Sequence, residues 1–312
     1  MIAGPTCSGK SALALAVARA AGGVVINADS MQVYRELRIL TARPSLQEEA
    51  CVPHRLYGVL PASEAGSVAW WRLRALEEME RAWSAGAVPV LCGGTGMYLR
   101  ALTAGLAEIP DPGEEARAEA RRLAEEIGSA ALHARLAAAD PETAATLRPS
   151  DTQRVSRAWE VWRGTGRGLC AWRREAALPA AACRFRVIRL SPERVALREA
   201  IAVRFEAMMA QGAADEVRSL LALGLSPALP AMRAHGVPEI AAMLRGELTE
   251  AEARLRAVTA TGQYIRRQAT WFAHQRLVPE GDEIIFEMEN RISEQFMERY
   301  MQKILSFIEN DG

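Results

Sequence analysis

The chain has 312 residues, a mass of 34.0 kDa and a hydrophobic content of 50%, so it can bury a sizeable core in one or two domains. Its 38 basic and 38 acidic residues give a formal net charge of zero, so the overall charge does not indicate a nucleic-acid partner. The sequence shows no signal peptide and no apolar span of about 18 residues, so we expect no insertion into a membrane.

The first predicted functional element is a phosphate-binding loop, "GPTCSGKS" (4–11), which fits the pattern G-x-x-x-x-G-K-[ST]. In such a loop, backbone N–H groups and a helix N-terminus point at phosphate oxygens. We predict that the charge of Lys10 neutralises phosphate and that the hydroxyl of Ser11 is a ligand of Mg²⁺. Loops of this kind usually bind ATP or a related nucleotide. The predicted phosphate-binding residues are Gly4, Pro5, Thr6, Cys7, Ser8, Gly9, Lys10 and Ser11.

Lysine usage supports this loop. Lys10 and Lys303 are the only lysines, so a chain that otherwise uses arginine places a lysine where the loop requires one. The alternative is a glycine turn with an incidental lysine. A run of apolar residues at helical spacing, from Leu13 to Ala18, follows the loop and favours the phosphate-binding interpretation.

The first third of the chain alternates strands with helices. "VVIN" (24–27) and "VPVL" (88–91) read as short buried strands, and the residues between Val68 and Ala85 read as a helix. This rhythm predicts a parallel sheet with functional groups at the carboxyl ends of its strands. Only Met1 to Ala3 precede the loop as a first strand, so we expect the natural start to lie a few residues upstream.

Asp29 follows the second strand and is predicted to lie beside the phosphate loop. A carboxylate there can act as a general base or as an acidic side chain that binds the metal. The alternative is that Asp29 caps a helix in "NADS" (27–30). Since the "VPVL" strand ends in Cys92 and glycines instead of an aspartate, a motor-type ATPase is disfavoured, and small kinases and group transferases remain.

From Pro110 onward the pattern becomes helical. Residues 111–180 read as a helical insertion, "FRVIRL" (185–190) resumes a strand, and helices continue to about Gln275. The resulting domains are an α/β core at 1–110 and 181–276, the insertion, and an atypical C-terminal segment at 277–312. We read the last segment as a helix that packs on the body or on a partner.

Arginine and tryptophan crowd one helix of the insertion, and "QYIRRQATWF" (263–272) repeats the theme. Arginine pairs with phosphates and aromatic planes stack on unstacked bases, as recognition of RNA loops requires. The alternative is that the tryptophans are core residues and the arginines a solvated face. The crowded positions are Arg154, Arg157, Trp159, Trp162, Arg163, Arg167 and the following Trp172, Arg173 and Arg174.

The scattered cysteines favour a thiol-reducing cytoplasm and no zinc site, because none of them forms a C-x-x-C pair. They are Cys7, Cys51, Cys92, Cys170 and Cys183.

Taken together, seven stretches resemble the tRNA dimethylallyltransferases, also called isopentenyl transferases. "NADSMQVY" (27–34) and "DTQRVSRAWEV" (151–161) are more specific than the phosphate loop. The resemblance covers roughly residues 1–276 in the order of the family. Its other pieces are "GPTCSGKSALA" (4–14), "PHRLYGV" (53–59), "GGTGMYLRAL" (93–102), "VRFEAMMAQGAADEV" (203–217) and "TGQYIRRQATWF" (261–272).

The resemblance implies an α/β fold, with a P-loop NTPase-like parallel sheet, helices on both faces and a helical insertion domain. It also implies transfer of the prenyl group of dimethylallyl diphosphate, with Mg²⁺, to N6 of adenosine 37 in the tRNA anticodon stem-loop. Asp29 would take a proton from the attacking amine, Thr95 would contact the adenosine or diphosphate, and Arg204 would be a second clamp on the diphosphate beside Lys10. We expect a monomer.

The resemblance also implies a set of tRNA-binding residues on the core and on the insertion. Those on the core are Asp29, Ser30, Met31, Gln32, Thr95, Arg266 and Arg267, and those on the insertion are Arg117, Gln153, Arg154, Val155, Ser156 and Arg157. The chain departs from the family pattern at Gly262 and at Ala273 and His274, where arginines are usual, and both departures remove expected RNA contacts.

Two rival functions share parts of this pattern. A small-molecule kinase would use the same loop, magnesium and Asp29, but it needs only a small lid instead of a 70-residue insertion. An RNA-binding P-loop protein without turnover would not need Lys10, Ser11 and Asp29 together.

Overall fold

The computed structural model describes residues 1–175, 177–289 and 292–309. The chain forms two compact units. The α/β unit comprises Met1–Thr103 and Ala181–Gly312, and the helical unit comprises Ala104–Ala180. The helical unit therefore begins seven positions before the predicted start of the insertion at 111.

Eight strands are present in the described ranges. Two short ones pair antiparallel in the helical unit, and the other six form one parallel sheet in the order β3-β2-β4-β1-β7-β8. The strands are β1 (Ile2–Ala3), β2 (Gly23–Asn27), β3 (His54–Arg55), β4 (Val88–Gly93), β5 (Leu106–Ala107), β6 (Ala177–Leu178), β7 (Val187–Pro192) and β8 (Glu283–Met288).

Fourteen α-helices lie in the same ranges, together with 3-10 turns at Pro230–Arg233 and Glu280–Asp282. They are α1 (Lys10–Ala20), α2 (Leu46–Cys51), α3 (Val68–Ser84), α4 (Gly96–Thr103), α5 (Gly113–Glu126), α6 (Gly128–Ala139), α7 (Pro141–Ala145), α8 (Thr152–Thr165), α9 (Leu169–Glu175), α10 (Arg194–Ala210), α11 (Ala213–Leu221), α12 (Val237–Leu244), α13 (Glu250–His274) and α14 (Glu294–Glu309).

The sheet has apolar side chains on both faces, as a parallel sheet covered by helices requires. Successive residues of a strand point to opposite faces, so Val25 and Ile26 of β2 enter two different cores. The core on one face includes residues of α3, α11 and α12, and the core on the other face includes residues of α1 and α14. The predicted α/β fold with helices on both faces is confirmed.

The C-terminal segment corrects one prediction. Residues 277–312 were expected to be helical, but β8 lies within them and pairs in parallel with β7 along its whole length, from Val187↔Glu283 to Pro192↔Met288. Only α14 follows the expected helical spacing. Its Ile304 is fully buried, and its aromatic residues pack in the same core as α1, so this segment packs on the body of the α/β unit.

In the helical unit, α5, α6 and α8 pack around a separate small core that includes Leu132, Leu136 and Val155. Gly166 ends α8 in the left-handed conformation (φ 69°), which a residue without a Cβ adopts readily. The alternative that tryptophans are core residues holds for Trp159, which is buried among these residues.

Within the described ranges, every helix is too short or too polar to cross a membrane.

Candidate active site

Three strand ends at the centre of the sheet carry the site. The phosphate loop follows β1, the turn with Asp29 follows β2, and Thr95 follows β4, and these strands are neighbours. Because parallel strands present their carboxyl ends at one edge, the sheet topology gathers these three segments.

The phosphate loop has the backbone conformation that its glycines permit. Gly9 has φ 90° and immediately precedes α1, so the N-terminus of that helix opens into the loop. Gly4 lies so close to β7 that a Cβ there would sit 2.9 Å from the carbonyl oxygen of Leu190. Cys7, a non-glycine residue, also adopts a left-handed conformation (φ 67°), and such strain is typical of functional loops.

Lys10 is held inside the loop. Its side chain is buried, and Nζ lies 3.5 Å from the carbonyl oxygen of Pro5. The outer side of the loop at Gly9 is covered by Ile292, since a Cβ added to Gly9 would lie 2.8 Å from the Cβ of Ile292. The C-terminal segment therefore touches the phosphate loop, a contact that the sequence did not predict.

Gln268 ties the phosphate loop to the end of β4. This side chain of α13 is 5% exposed, its Oε1 accepts the Thr6 N–H at 2.9 Å, and its Nε2 donates to the Gly94 carbonyl at 2.9 Å. Gln268 lay in a quoted motif, but it was not among the predicted site residues. One buried amide thus fixes two of the three segments.

Asp29 is fixed by a turn of its own. The buried Asn27 accepts the Asp29 N–H at 2.8 Å and donates Nδ2 to the Asp29 carbonyl, while Asp29 Oδ1 accepts the Met31 N–H at 2.9 Å. No helix begins here, because α2 starts only at Leu46. The alternative that Asp29 is a helix cap is therefore wrong.

Thr95 joins the third segment to the turn that carries Asp29. Its Oγ1 accepts the Ser30 N–H at 3.0 Å, and its own N–H donates to the Ala28 carbonyl at 3.2 Å. Tyr264 of α13 lies next to both segments: burial raises the pKa of its hydroxyl, and the side chains of Thr95 and Gln268 oppose that shift. Tyr264 was also not predicted as a site residue.

Residues 37–42, here called the Leu40 loop, form another wall. Thr41 of this loop accepts Gln32 Nε2 at 2.9 Å and lies 3.5 Å from Arg204 Nη2, both through its carbonyl oxygen. Gln32, predicted to bind tRNA, thus donates its amide protons to the carbonyls of Thr41 and Ala42. Arg204 makes no ion pair within the described part of the chain.

These segments enclose a cavity of about 250 Å³. Apolar side chains such as Phe205 and Met208 share its walls with charged and polar groups. The lining residues are Thr6, Cys7, Asp29, Ser30, Met31, Leu40, Thr41, Ile201, Arg204, Phe205, Met208, Arg233, Ala234, His235, Thr261, Tyr264 and Arg267.

The cavity brings together only part of the predicted set. Asp29, Arg204 and Arg267 line it, whereas Arg266 borders a separate groove on the same unit. Arg233 and His235 line it although no motif pointed to them. No sequence signal could have found His235, because nothing in the sequence places residue 235 near residue 29.

Burial controls the protonation of several groups at the site. Burial lowers the pKa of His235, whose ring lies 4.9 Å from that of Tyr264, and Glu239 opposes this shift. Burial raises the pKa of the Tyr264 hydroxyl, which therefore stays protonated near neutral pH. Burial also raises the pKa of Cys92 to about 11, against the lowering effects of Lys10 and of a hydrogen bond with Ser11.

The remaining predicted tRNA-binding residues lie in the helical unit. Arg154 and Arg157 are on α8 and pair with Asp151 at 3.4 Å and Glu160 at 3.0 Å, and Arg117 of α5 pairs with Asp111. Gln153 is exposed and Ser156 half-buried. Val155 corrects the prediction, because its side chain is fully buried in the core of this unit.

A magnesium ion would find few ligands in the protein itself. Within residues 1–175, 177–289 and 292–309, no three His, Cys, Asp or Glu side chains are grouped as a metal site. Ser11, at the first turn of α1, is exposed and offers one hydroxyl. Mg²⁺ commonly takes one or two protein ligands and completes its shell with phosphates and water, so this arrangement fits a metal that arrives with a phosphorylated substrate.

Known proteins resemble this chain along most of its length. The family model described as IPP transferase matches residues 32–275, and the one described as isopentenyl transferase matches residues 1–62. A tRNA dimethylallyltransferase of Gluconacetobacter diazotrophicus is 66% identical over 99% of this chain and 93% of the relative.

Two solved structures are also similar. The tRNA isopentenylpyrophosphate transferase of Bacillus halodurans is 30% identical with a TM-score of 0.68, over 98% of this chain and 94% of that chain. A eukaryotic dimethylallyltransferase acting on tRNA is 25% identical with a TM-score of 0.81, over 100% of this chain and 79% of that chain.

Proposed function

We propose that this chain, which belongs to the IPP transferase family, transfers the dimethylallyl group of dimethylallyl diphosphate to N6 of adenosine 37 in tRNA and releases diphosphate. One observation carries the proposal. Asp29, which suits an amine acceptor, and Arg204, which suits a diphosphate, line the same cavity beside the phosphate loop.

The phosphate loop and Arg204 bind the diphosphate. The N–H groups around Gly9, the N-terminus of α1 and the buried Lys10 offer positive charge where the leaving group develops negative charge. Ser11 would hold Mg²⁺, which supplies further charge neutralisation on the diphosphate oxygens.

Asp29 acts on the acceptor. The lone pair of N6 is delocalised into the adenine ring, so the amine is a weak nucleophile. As N6 attacks C1 of the dimethylallyl group, the N–C1 bond forms, the C1–O bond to diphosphate breaks, and the N6 proton passes to the Asp29 carboxylate. The Met31 N–H bond to Oδ1 holds this carboxylate in place.

The cavity also suits the transferred group. Leu40, Phe205 and Met208 give it apolar walls that can cover a five-carbon chain and exclude water from C1. To enter the cavity the adenosine must leave the stack of its loop, which costs least in single-stranded RNA.

Arg117 of α5 and Arg154 and Arg157 of α8 bind the anticodon stem-loop under this proposal, since their guanidinium groups can leave surface carboxylates for phosphates. The protein acts as a monomer in the cytoplasm, and light scattering of the purified chain at working concentration tests its oligomeric state.

The test incubates the protein with Mg²⁺, dimethylallyl diphosphate labelled in the prenyl group, and unmodified tRNA. We expect label in the RNA, lost when adenosine 37 is replaced by guanosine, which lacks an N6 amine. ADP formation from ATP together with phosphate on a small metabolite, and no label in RNA, would instead support the kinase alternative.

A further inference from the structure

The Leu40 loop, residues 37–42, is held by a carboxylate from a helix that does not line the cavity. Glu216, in the first turn of α11, accepts three consecutive backbone N–H groups of this loop. Its Oε2 accepts from Arg38 N and Ile39 N at 2.7 Å each, and its Oε1 accepts from Leu40 N at 3.0 Å. One side chain therefore fixes the direction of three successive peptide groups.

The opposite edge of the loop is held through its carbonyl groups. Gln32 Nε2 donates to the carbonyls of Thr41 and Ala42 at 2.9 Å each, and the Thr41 hydroxyl donates to the Leu37 carbonyl at 2.7 Å. Ala42 has φ 48°, in the left-handed region that a residue with a Cβ rarely adopts. A strained conformation of this kind persists only where the surrounding contacts fix it.

The loop so fixed contributes directly to the cavity. Leu40 and Thr41 are lining residues, and the Thr41 carbonyl lies 3.5 Å from Arg204 Nη2. A shift of the loop would thus move an apolar wall and a hydrogen-bond acceptor of the proposed diphosphate clamp together.

We propose that Glu216 is a positioning residue of the transfer reaction. By binding the amides of Arg38, Ile39 and Leu40 it holds the Leu40 loop, and through Thr41 it sets the orientation of Arg204 toward the leaving diphosphate. This inference rests on the proposed function for its substrates, but the loop contacts themselves do not.

Three substitutions separate charge from reach. Glu216→Ala removes both acceptor oxygens and with them all three hydrogen bonds, and Glu216→Asp keeps the charge but is shorter by one methylene. Glu216→Gln keeps the reach and one acceptor oxygen but presents an amide N–H₂ where the carboxylate has its second oxygen. Asp215→Ala is the matched control, because this neighbour on α11 is exposed and pairs only with Arg218 among the contacts described.

Single-turnover transfer is measured at saturating tRNA and at a series of dimethylallyl diphosphate concentrations, at a temperature where circular dichroism shows every variant folded. We expect Glu216→Ala and Glu216→Asp to slow transfer by about 10- to 100-fold, the cost of misplacing a reacting group by about 1 Å. Glu216→Gln should retain more activity than Glu216→Asp, and Asp215→Ala should match the wild type. The Kd for tRNA without diphosphate should stay within about twofold, because other residues provide that contact.

Hydrogen exchange detected by mass spectrometry tests the loop directly. The peptide with Arg38, Ile39 and Leu40 should exchange faster in Glu216→Ala, while peptides of α1 and β4 keep their protection. Wild-type transfer by Glu216→Ala, or a loss of protection spread through the whole α/β unit, would overturn the positioning role. Absence of label transfer by the wild-type protein itself would instead overturn the proposed function and leave the exchange result to decide the role of Glu216 in the loop.

Discussion

The cavity of the α/β unit and the surface of the helical unit use polar side chains in different ways. Around the cavity of the α/β unit, Asn27 and Gln268 are buried and bonded to the backbone of neighbouring segments. In the helical unit, arginines such as Arg154 and Arg174 pair with carboxylates at the surface, and Arg174 and its partner Glu142 have side chains 63% and 52% exposed.

This difference has an energetic consequence. A buried polar group left without its partner costs about 1–3 kcal/mol, whereas an exposed ion pair contributes about 0–1 kcal/mol. The buried polar contacts around the cavity therefore preorganise reacting groups and tolerate little change. The exposed contacts of the helical unit can be exchanged for RNA phosphates at small cost. Substitutions of the buried side chains around the cavity should thus affect the chemical step, and substitutions of the exposed arginines in the helical unit should affect tRNA binding.

The largest effect is expected for Asp29→Asn. Asparagine keeps an oxygen that can accept the hydrogen bond from the Met31 N–H, but it cannot take up the N6 proton. We expect kcat to fall by about 10²–10⁴-fold, the range typical of a general base, while both substrates still bind. Single-turnover transfer at saturating substrates measures this. Asp151→Asn, in the helical unit, serves as the control and should leave kcat unchanged. Normal turnover with weakened diphosphate binding would show that Asp29 is a ligand of the metal instead of the general base.

Lys10→Ala should lower transfer by roughly 10²-fold or more, because charge stabilisation of the leaving diphosphate is lost. The fold should survive, since among the described residues the lysine side chain makes one hydrogen bond, a long 3.5 Å contact with the Pro5 carbonyl. Activity and thermal unfolding are measured on the same preparation. Near wild-type transfer with Mg²⁺ present would remove the loop from the mechanism. Lys303→Ala, the only other lysine substitution possible, is the control.

Gln268→Met should show a smaller effect on both stability and activity. Methionine fills a similar volume but leaves the Thr6 N–H and the Gly94 carbonyl without their partner. We expect unfolding to become easier by about 1–3 kcal/mol, measured by denaturant titration, and kcat to fall by about tenfold. Gln275→Met, just after the same helix, loses an exposed hydrogen bond from Arg100, the one side-chain bond of Gln275 within the described ranges, and should change neither quantity. Equal effects of the two substitutions would contradict the bridging role of Gln268.

Substitution of both Arg154 and Arg157 by alanine should leave kcat unchanged and raise the KM for tRNA severalfold. Lost phosphate contacts should also reduce the slope of log K against log salt by about 1–2. The paired substitution of Arg121 and Arg122, on α5, controls for general loss of charge. Weaker binding of dimethylallyl diphosphate together with tRNA would show that α8 supports the fold instead of binding RNA.

The smallest effect concerns His235 and pH. Burial lowers the pKa of this imidazole below the 6.5 of the unfolded chain, so the unfolded state binds the proton more readily. The neutral imidazole of His235 contributes stability that is fully present above pH 6.5. This contribution is lost as the pH falls through the pKa of the folded protein. Denaturant titrations between pH 7 and pH 4.5 should show a shallower decline for His235→Gln than for the wild type. The exposed His274→Gln serves as the control, and identical declines for all three proteins would exclude His235 as a source.

The sequence by itself determined the phosphate loop, the position of Asp29 just after a strand and the alternation of strands and helices. Each of these depends on residues within about one strand or helix of each other: Gly9 must adopt φ 90° directly before α1, and Asp29 bonds to Met31 two positions away. The predicted strands "VVIN" and "VPVL" lie within β2 and β4 for the same local reason.

Only the tertiary structure decided the strand β8 and the roles of Gln268, His235 and Glu216. The partner strand of β8 lies 96 positions earlier, and Glu216 binds amides 176 to 178 positions away. Such contacts carry no local periodicity or motif, because they form when packed elements bring distant backbone groups together. The sequence does not distinguish a buried glutamine that bridges two segments from an exposed one. For Gln268 the distinction comes from the position of Gly94 beside α13 in the folded chain.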